Sequence, residues 1–164
     1  MSESENEIFE CPNCESEVKQ DDEFCPNCGS LFIENVKCTN HPAIDADGVC
    51  IICALPYCSE CGSENNKHFL CAAHFNYEIY EGMARVFGGS PDEAHTQYIK
   101  TCLEEAGLHP FMFSRAIQNG GSWIIYTIYE APGDSAGHMV NELKVMVPCQ
   151  EVIEAEKVLQ ELEA

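Results

Sequence analysis

Six pairs of metal-ligating residues run through the first half of the chain: Cys11/Cys14, Cys25/Cys28, Cys38/His41, Cys50/Cys53, Cys58/Cys61 and Cys71/His74. Two residues separate the members of every pair, the spacing at which a tight turn aims two side chains at one ion. The stretch holds ten of the twelve cysteines and three of the six histidines. Twelve ligands complete three tetrahedral sites, so the sequence predicts three zinc ions per chain. A site closed by four protein ligands has no position left for a substrate, and its role is structural rather than catalytic.

The first two pairs both read Cys-Pro-Asn-Cys, and Gly29 follows the second. Proline presets one backbone dihedral of such a turn and Asn tolerates the left-handed one. Backbone amides in these turns can point at the thiolates and stabilise their charge. The ten residues between Cys14 and Cys25 suffice for a short hairpin, with Val18 and Phe24 as its apolar patch. This segment resembles the short zinc-ribbon domains at the ends of many bacterial proteins.

The next four pairs are separated by eight, four and nine residues. The four-residue gap, Ala54 to Tyr57, is too short for a hairpin of its own. That favours interleaved sites, Cys38, His41, Cys58 and Cys61 in one and Cys50, Cys53, Cys71 and His74 in the other. Two sequential sites would use the same eight ligands. His68 is a rival to the last pair but lacks the knuckle spacing. The run Cys38-x-x-His41-Pro42, Cys50-x-x-Cys53, Tyr57-Cys58-x-x-Cys61, Leu70-Cys71-x-x-His74 looks like a B-box-type zinc finger in its short bacterial form. It departs from the eukaryotic pattern, which usually ends in two histidines, and its order is not that of a RING. The resemblance implies a protein-interaction or scaffolding module and no ubiquitin-ligase activity.

The chain carries 28 acidic against 8 basic residues, a net charge of −20. The excess is spread over its whole length: ten acids against two bases in 1–37, four against one in 38–74, fourteen against five in 75–164. Ten thiolates on three zinc ions would add roughly four negative charges more. Such a chain repels phosphate backbones and anionic lipid, so neither nucleic acid nor a membrane is an expected partner; a protein with a basic surface is. The first ten residues have no basic region and no apolar run, so no signal peptide is read there. No segment approaches the length of a membrane helix. Paired thiols without a secretory signal suit a reducing cytoplasm better than a disulfide scaffold.

These observations divide the chain into an acidic tail (1–8), a ribbon (9–35), a double-zinc finger (36–75) and a domain without metal ligands (76–164). In the last, 75–82 reads as a connector and Met83–Phe87 as a strand. Ser90 reads as the N-cap of a helix, with Pro91 at its first position and Glu93 closing a capping box. Ala94, Tyr98, Cys102 and Ala106 mark the helix's inward face, widened by Ile99 and Leu103, and Gly107 ends it. Strands follow at Pro110–Ala116, at Trp123–Tyr129 after the turn Asn119-Gly120-Gly121, and at Leu143–Val147, where alternate residues are apolar. A second helix spans Glu151–Leu162, with Val152, Ala155, Val158, Leu159 and Leu162 inward. Two helices on one face of a mainly antiparallel sheet is the simplest packing of this order, a small α+β domain.

The segments Ser90–Leu108 and Lys144–Leu162 are similar to the putative prokaryotic signal-transducing family, a domain of unknown function. The resemblance implies a ferredoxin-like core related in shape to the PII signalling proteins. Catalytic motifs are missing: Gly120-Gly121-Ser122 has no strand-to-helix context for a nucleophile elbow, and no phosphate loop or His-Glu-x-x-His is present. His95, His109 and His138 are scattered and read as surface residues. Cys102 reads as core; Cys149, after Pro148 at a helix start, is a candidate reactive thiol. The expectation is a non-enzymatic, cytoplasmic adaptor or signalling protein acting through protein–protein interaction. The alternatives are a small-molecule sensor, with the effector held by the C-terminal domain, and metal or redox handling.

Overall fold

The computed structural model describes residues 8–90, 92–114 and 143–163. Its contacts divide the chain between Tyr77 and Glu78.

The first unit is built of very short strands held around the cysteine clusters. Strands β1 (Ile8–Glu10) and β2 (Glu17–Lys19) pair antiparallel. They flank the first knuckle, so the hairpin runs through Cys11–Cys14. The sequence placed it between the two knuckles. There the chain makes a turn closed by the Lys19 N–H, which donates to Asp22 Oδ2 at 2.8 Å. Val18 is buried beside the four cysteines and Phe24 is half-buried, bridged to Leu31. Strands β3 (Gly48–Val49) and β4 (Pro56–Tyr57) pair across the third cysteine knuckle. β5 (Gly62–Asn65) and β6 (His68–Cys71) form a hairpin. Its tip, Asn66-Lys67, has positive φ at both residues, 50° and 67°, the two-residue turn whose twist suits paired strands. Strands of two to four residues do not persist alone; side-chain anchoring must hold them.

The second unit has an apolar core. β7 (Ile79–Tyr80) and β8 (Met83–Ser90) are joined by Glu81-Gly82, with φ of 46° and 76°. The expected connector thus contains a strand; Glu-Gly is a weaker hairpin signal than Asn-Gly, and the apolar run is only two residues. Helix α1 spans Glu93–Glu105. Its N-cap is Asp92, whose carboxylate accepts from the His95 N–H at 3.0 Å. The sequence placed Ser90 in that role, but β8 extends to Ser90, which pairs with Leu143. A carboxylate at the positive end of a helix also gains from the dipole. The buried face of α1 is Thr96, Ile99 and Leu103, while Tyr98 is 55 % exposed. The inward face is therefore rotated from the Ala94–Tyr98–Cys102–Ala106 row, because the β-branched and leucine residues fill the sheet contact and Tyr98 can keep its hydroxyl in water. Gly107, at φ 84°, ends the helix. Its N–H donates to the Glu104 carbonyl and that of Leu108 to the Leu103 carbonyl, the paired bonds of a Schellman motif.

β9 (Phe111–Ser114) and β10 (Leu143–Pro148) follow, then a 3-10 turn (Cys149–Glu151) and helix α2 (Val152–Glu163). The sheet order is β7-β8-β10-β9, antiparallel at every pairing. β10 lies between β8 and β9, the two strands that α1 connects, which makes a split β-α-β unit. As an interior strand, β10 is buried on both faces from Lys144 to Val147, so the expected alternation of apolar and exposed positions fails. Lys144 is 2 % exposed, and its ammonium donates to both Glu78 oxygens at 2.7 and 2.9 Å. Arg85 donates to the same carboxylate at 3.2 Å. Val152 and Ala155 of α2 are buried, Val158 and Leu159 half-buried, and Leu162 is 40 % exposed. The expected strand at Trp123–Tyr129, the turn before it and His138 lie outside the described residues.

Candidate metal centres

The cysteine and histidine ligand atoms of the first unit gather into three groups, each within a 4.8 Å span: Cys11, Cys14, Cys25 and Cys28; Cys38, His41, Cys58 and Cys61; Cys50, Cys53, Cys71 and His74. The second and third alternate along the chain. The eight residues are therefore interleaved, first pair with third and second with fourth.

The distances test whether zinc fits. A tetrahedral ion with sulfur at about 2.3 Å and nitrogen at about 2.0 Å sets neighbouring sulfurs about 3.8 Å apart and sulfur and nitrogen about 3.6 Å apart. In the ribbon cluster Cys11 Sγ lies 3.7 Å from Cys28 Sγ, and Cys14 Sγ lies 3.6 Å from Cys25 Sγ. In the second, His41 Nδ1 is 3.9, 3.4 and 3.4 Å from the sulfurs of Cys38, Cys58 and Cys61. In the third, His74 Nδ1 is 3.5 Å from Cys50 Sγ and 3.2 Å from Cys71 Sγ. These are the edges of a tetrahedron, and the sulfurs are far beyond the roughly 2 Å of a disulfide. Both histidines present Nδ1. His68 lies outside the clusters; its Nδ1 is 2.7 Å from the Asn27 carbonyl oxygen.

One local fold recurs at Cys11–Cys14, Cys25–Cys28 and Cys50–Cys53. The carbonyl of the first cysteine accepts from the N–H four residues on, Glu15, Gly29 and Ala54, at 2.8 Å each. Those three residues have φ of 62°, 82° and 56°, the left-handed region. Glycine marks only one of the three, so the sequence revealed the turn's residue type at Gly29 alone.

Side chains beyond the ligands face the sulfurs. Ser16 Oγ lies 3.0 Å from Cys14 Sγ and 3.3 Å from Cys25 Sγ, and Ser30 Oγ lies 3.1 Å from Cys28 Sγ. The Asn27 amide donates to Cys14 at 3.5 Å, the Asn40 amide to Cys61 at 3.4 Å. The Tyr57 hydroxyl is 3.8 Å from Cys53 Sγ. The sequence marked Asn27 only as a turn residue and Tyr57 only as part of a motif, and neither serine nor Asn40 was singled out, although a repeat carries the serine signal: Cys-Pro-Asn-Cys-x-Ser occurs at 11–16 and again at 25–30. Burial raises the Cys14 thiol, but hydrogen bonds from Ser16 and Asn27 outweigh it and bring the pKa to about 6. Burial pushes Cys28 up to about 12. Protons are thus unevenly held within one cluster, and a divalent cation would displace them.

The residues outside these clusters form no comparable constellation among those described. Cys149 is 1 % exposed, so the thiol considered reactive is closed off from solvent. Cys102 is half-buried beside Tyr98 on α1 rather than in the core. His95 packs edge-on against Phe87, and His109 meets Glu151 at 2.6 Å. No helix among the described residues is long and apolar enough to cross a membrane.

No curated protein and no solved structure matches the chain. A zinc-ribbon domain family matches residues 7–32, the segment that contains the four-cysteine cluster.

Proposed function

We propose that this protein is a non-enzymatic adaptor whose first unit is held by three zinc ions and binds a basic, amphipathic segment of a partner protein. The observation that carries the reading is the closure of all three clusters by four protein ligands each, which leaves the metal a structural task. The chemistry then falls to the surface. That surface is strongly acidic, and steering by charge favours cationic partners. A groove of about 590 Å³ in the first unit sets Leu31, Ile33 and Val36 beside Glu34, Asp45 and Asp47. Ile33 is 44 % exposed there. Apolar side chains flanked by carboxylates suit a helix or loop with an apolar face and lysine or arginine around it. The B-box-like ligand order points to the same class of activity, and the resemblance of Ser90–Leu108 and Lys144–Leu162 to a signal-transducing family fits a role in signalling.

The test is crosslinking of the zinc-loaded full chain in its own cells, identification of what is joined to residues 30–47, and titration with that partner. Affinity should fall as salt rises and fall about tenfold in Glu34→Lys. A partner set that binds equally with salt, with Glu34→Lys and after chelation would overturn the reading.

A further inference from the structure

Phe69 occupies an unusual position in the first unit. Three glycines close around it. A β-carbon on Gly48 would stand 2.6 Å from its ring, one on Gly62 2.7 Å from Cε1, and one on Gly29 2.9 Å from its Cβ. All three approaches are shorter than a real β-carbon tolerates, so each glycine leaves room for this side chain. Each also neighbours a different cluster. Gly29 follows Cys28 of the ribbon, Gly62 follows Cys61 of the second cluster, and Gly48 precedes Val49-Cys50 of the third.

The backbone around Phe69 makes the same connection. Its N–H donates to the carbonyl of Cys28 at 2.8 Å, and the Val49 N–H donates to that of Gly29 at 2.8 Å. The ribbon's second knuckle is thus bonded to β6 and β3, one or two residues from the ligands Cys71 and Cys50. The Phe69 carbonyl accepts from the Ile51 N–H at 3.2 Å, inside the third cluster's own knuckle. Gly62 pairs with Cys71 in the β5–β6 ladder, and the Ala72 N–H donates to the Cys61 carbonyl at 3.0 Å. No path between two clusters needs more than a few residues of backbone.

We propose that Phe69 and its three glycines couple the three metal sites, so that the chain takes up its ions as one cooperative set and the ribbon binds tightly only when the finger is loaded. This rests on the reading that all three clusters hold zinc. The reason is entropic. β3 and β6 are too short to stand without anchored ends. Metal on Cys50, Cys53, Cys71 and His74 fixes Val49 and Phe69, whose N–H groups then meet the Gly29 and Cys28 carbonyls, respectively, in place. Ordering already made for one ion is not required again for the next, which is positive coupling. Phe69 touches no ion; it is a positioning residue.

The experiment is native mass spectrometry of the reduced full-length chain, titrated from metal-free to saturation with zinc. Three ions at saturation with mainly zero- and three-ion chains at half-saturation is the expected result. One- and two-ion chains in statistical proportion overturn the coupling whatever the variants do, and fewer than three ions at saturation overturns the zinc reading instead. Gly48→Ala changes no ligand but drives into the Phe69 ring. It should populate the intermediates and weaken the all-sulfur site, followed by its own cadmium-113 resonance, about tenfold. Coupling is reciprocal, so Cys11→Ser should weaken the finger by the factor by which Cys71→Ser weakens the ribbon. A one-way effect would mark local misfolding and count against the proposal.

Discussion

At the residue scale the three knuckles give a direct comparison, because one backbone conformation is met with Glu15, Gly29 and Ala54. A β-carbon in the left-handed region costs about 1–2 kcal/mol. Ala54 is exposed, so Ala54→Gly removes that cost and loses no packing. Its chemical denaturation midpoint should rise by the equivalent of about 1 kcal/mol. Gly29→Ala goes the other way. Its β-carbon would stand 2.1 Å from the Val49 carbonyl oxygen, and the loss should reach about 3 kcal/mol, strain and clash together. Hydrogen bonds to the sulfurs belong to the same scale. Asn40→Ala removes the amide on Cys61 without touching a ligand, and competition with a chromophoric chelator should show zinc held about tenfold less tightly. An unchanged chelator curve would mean that Asn40 only closes the turn.

Among the elements, helix α1 tests where a start signal lies. Asp92 and Ser90 are both good N-caps by type, two residues apart, and the choice between them was made by β8 running on to its pairing with β10. Asp92→Ala should cost about 1 kcal/mol in thermal or chemical unfolding of the second unit. β10 shows a different limit. Leu-Lys-Val-Met-Val read as a strand because Leu143, Val145 and Val147 alternate with other positions, a pattern that predicted one wet face. An interior position between β8 and β9 buries both faces, and Lys144 is accommodated by the Glu78 carboxylate. That ion pair is between residues 66 apart in the chain, and no local pattern announces it. The β7 strand was passed over for the opposite reason: two residues are too few to show a period.

For the whole molecule, the division at Tyr77 and Glu78 separates two ways of being stable. Both described α-helices lie in the second unit, where an apolar core holds them. Chelation should therefore leave the helical circular dichroism nearly unchanged while the amide signals of residues 8–77 collapse in dispersion. Loss of the helical signal with the metal would contradict the division. A charge of −20 also destabilises the compact chain through self-repulsion, so the melting temperature should rise with salt up to a few tenths molar. What the sequence determined by itself was the chemistry: twelve ligands and their grouping in pairs. Knuckle spacing is a local property; the short Ala54–Tyr57 gap favoured interleaved sites, and the structure decided for them over sequential ones. Tertiary structure alone decided what lies around those ligands. The approach of Ser16 to Cys25, the Asn27 and Asn40 amides on Cys14 and Cys61, the burial of Lys144 against Glu78 and the meeting of Gly29, Gly48 and Gly62 at Phe69 all join residues distant in sequence. Their partners are chosen by packing and hydrogen-bond geometry, which no spacing rule encodes.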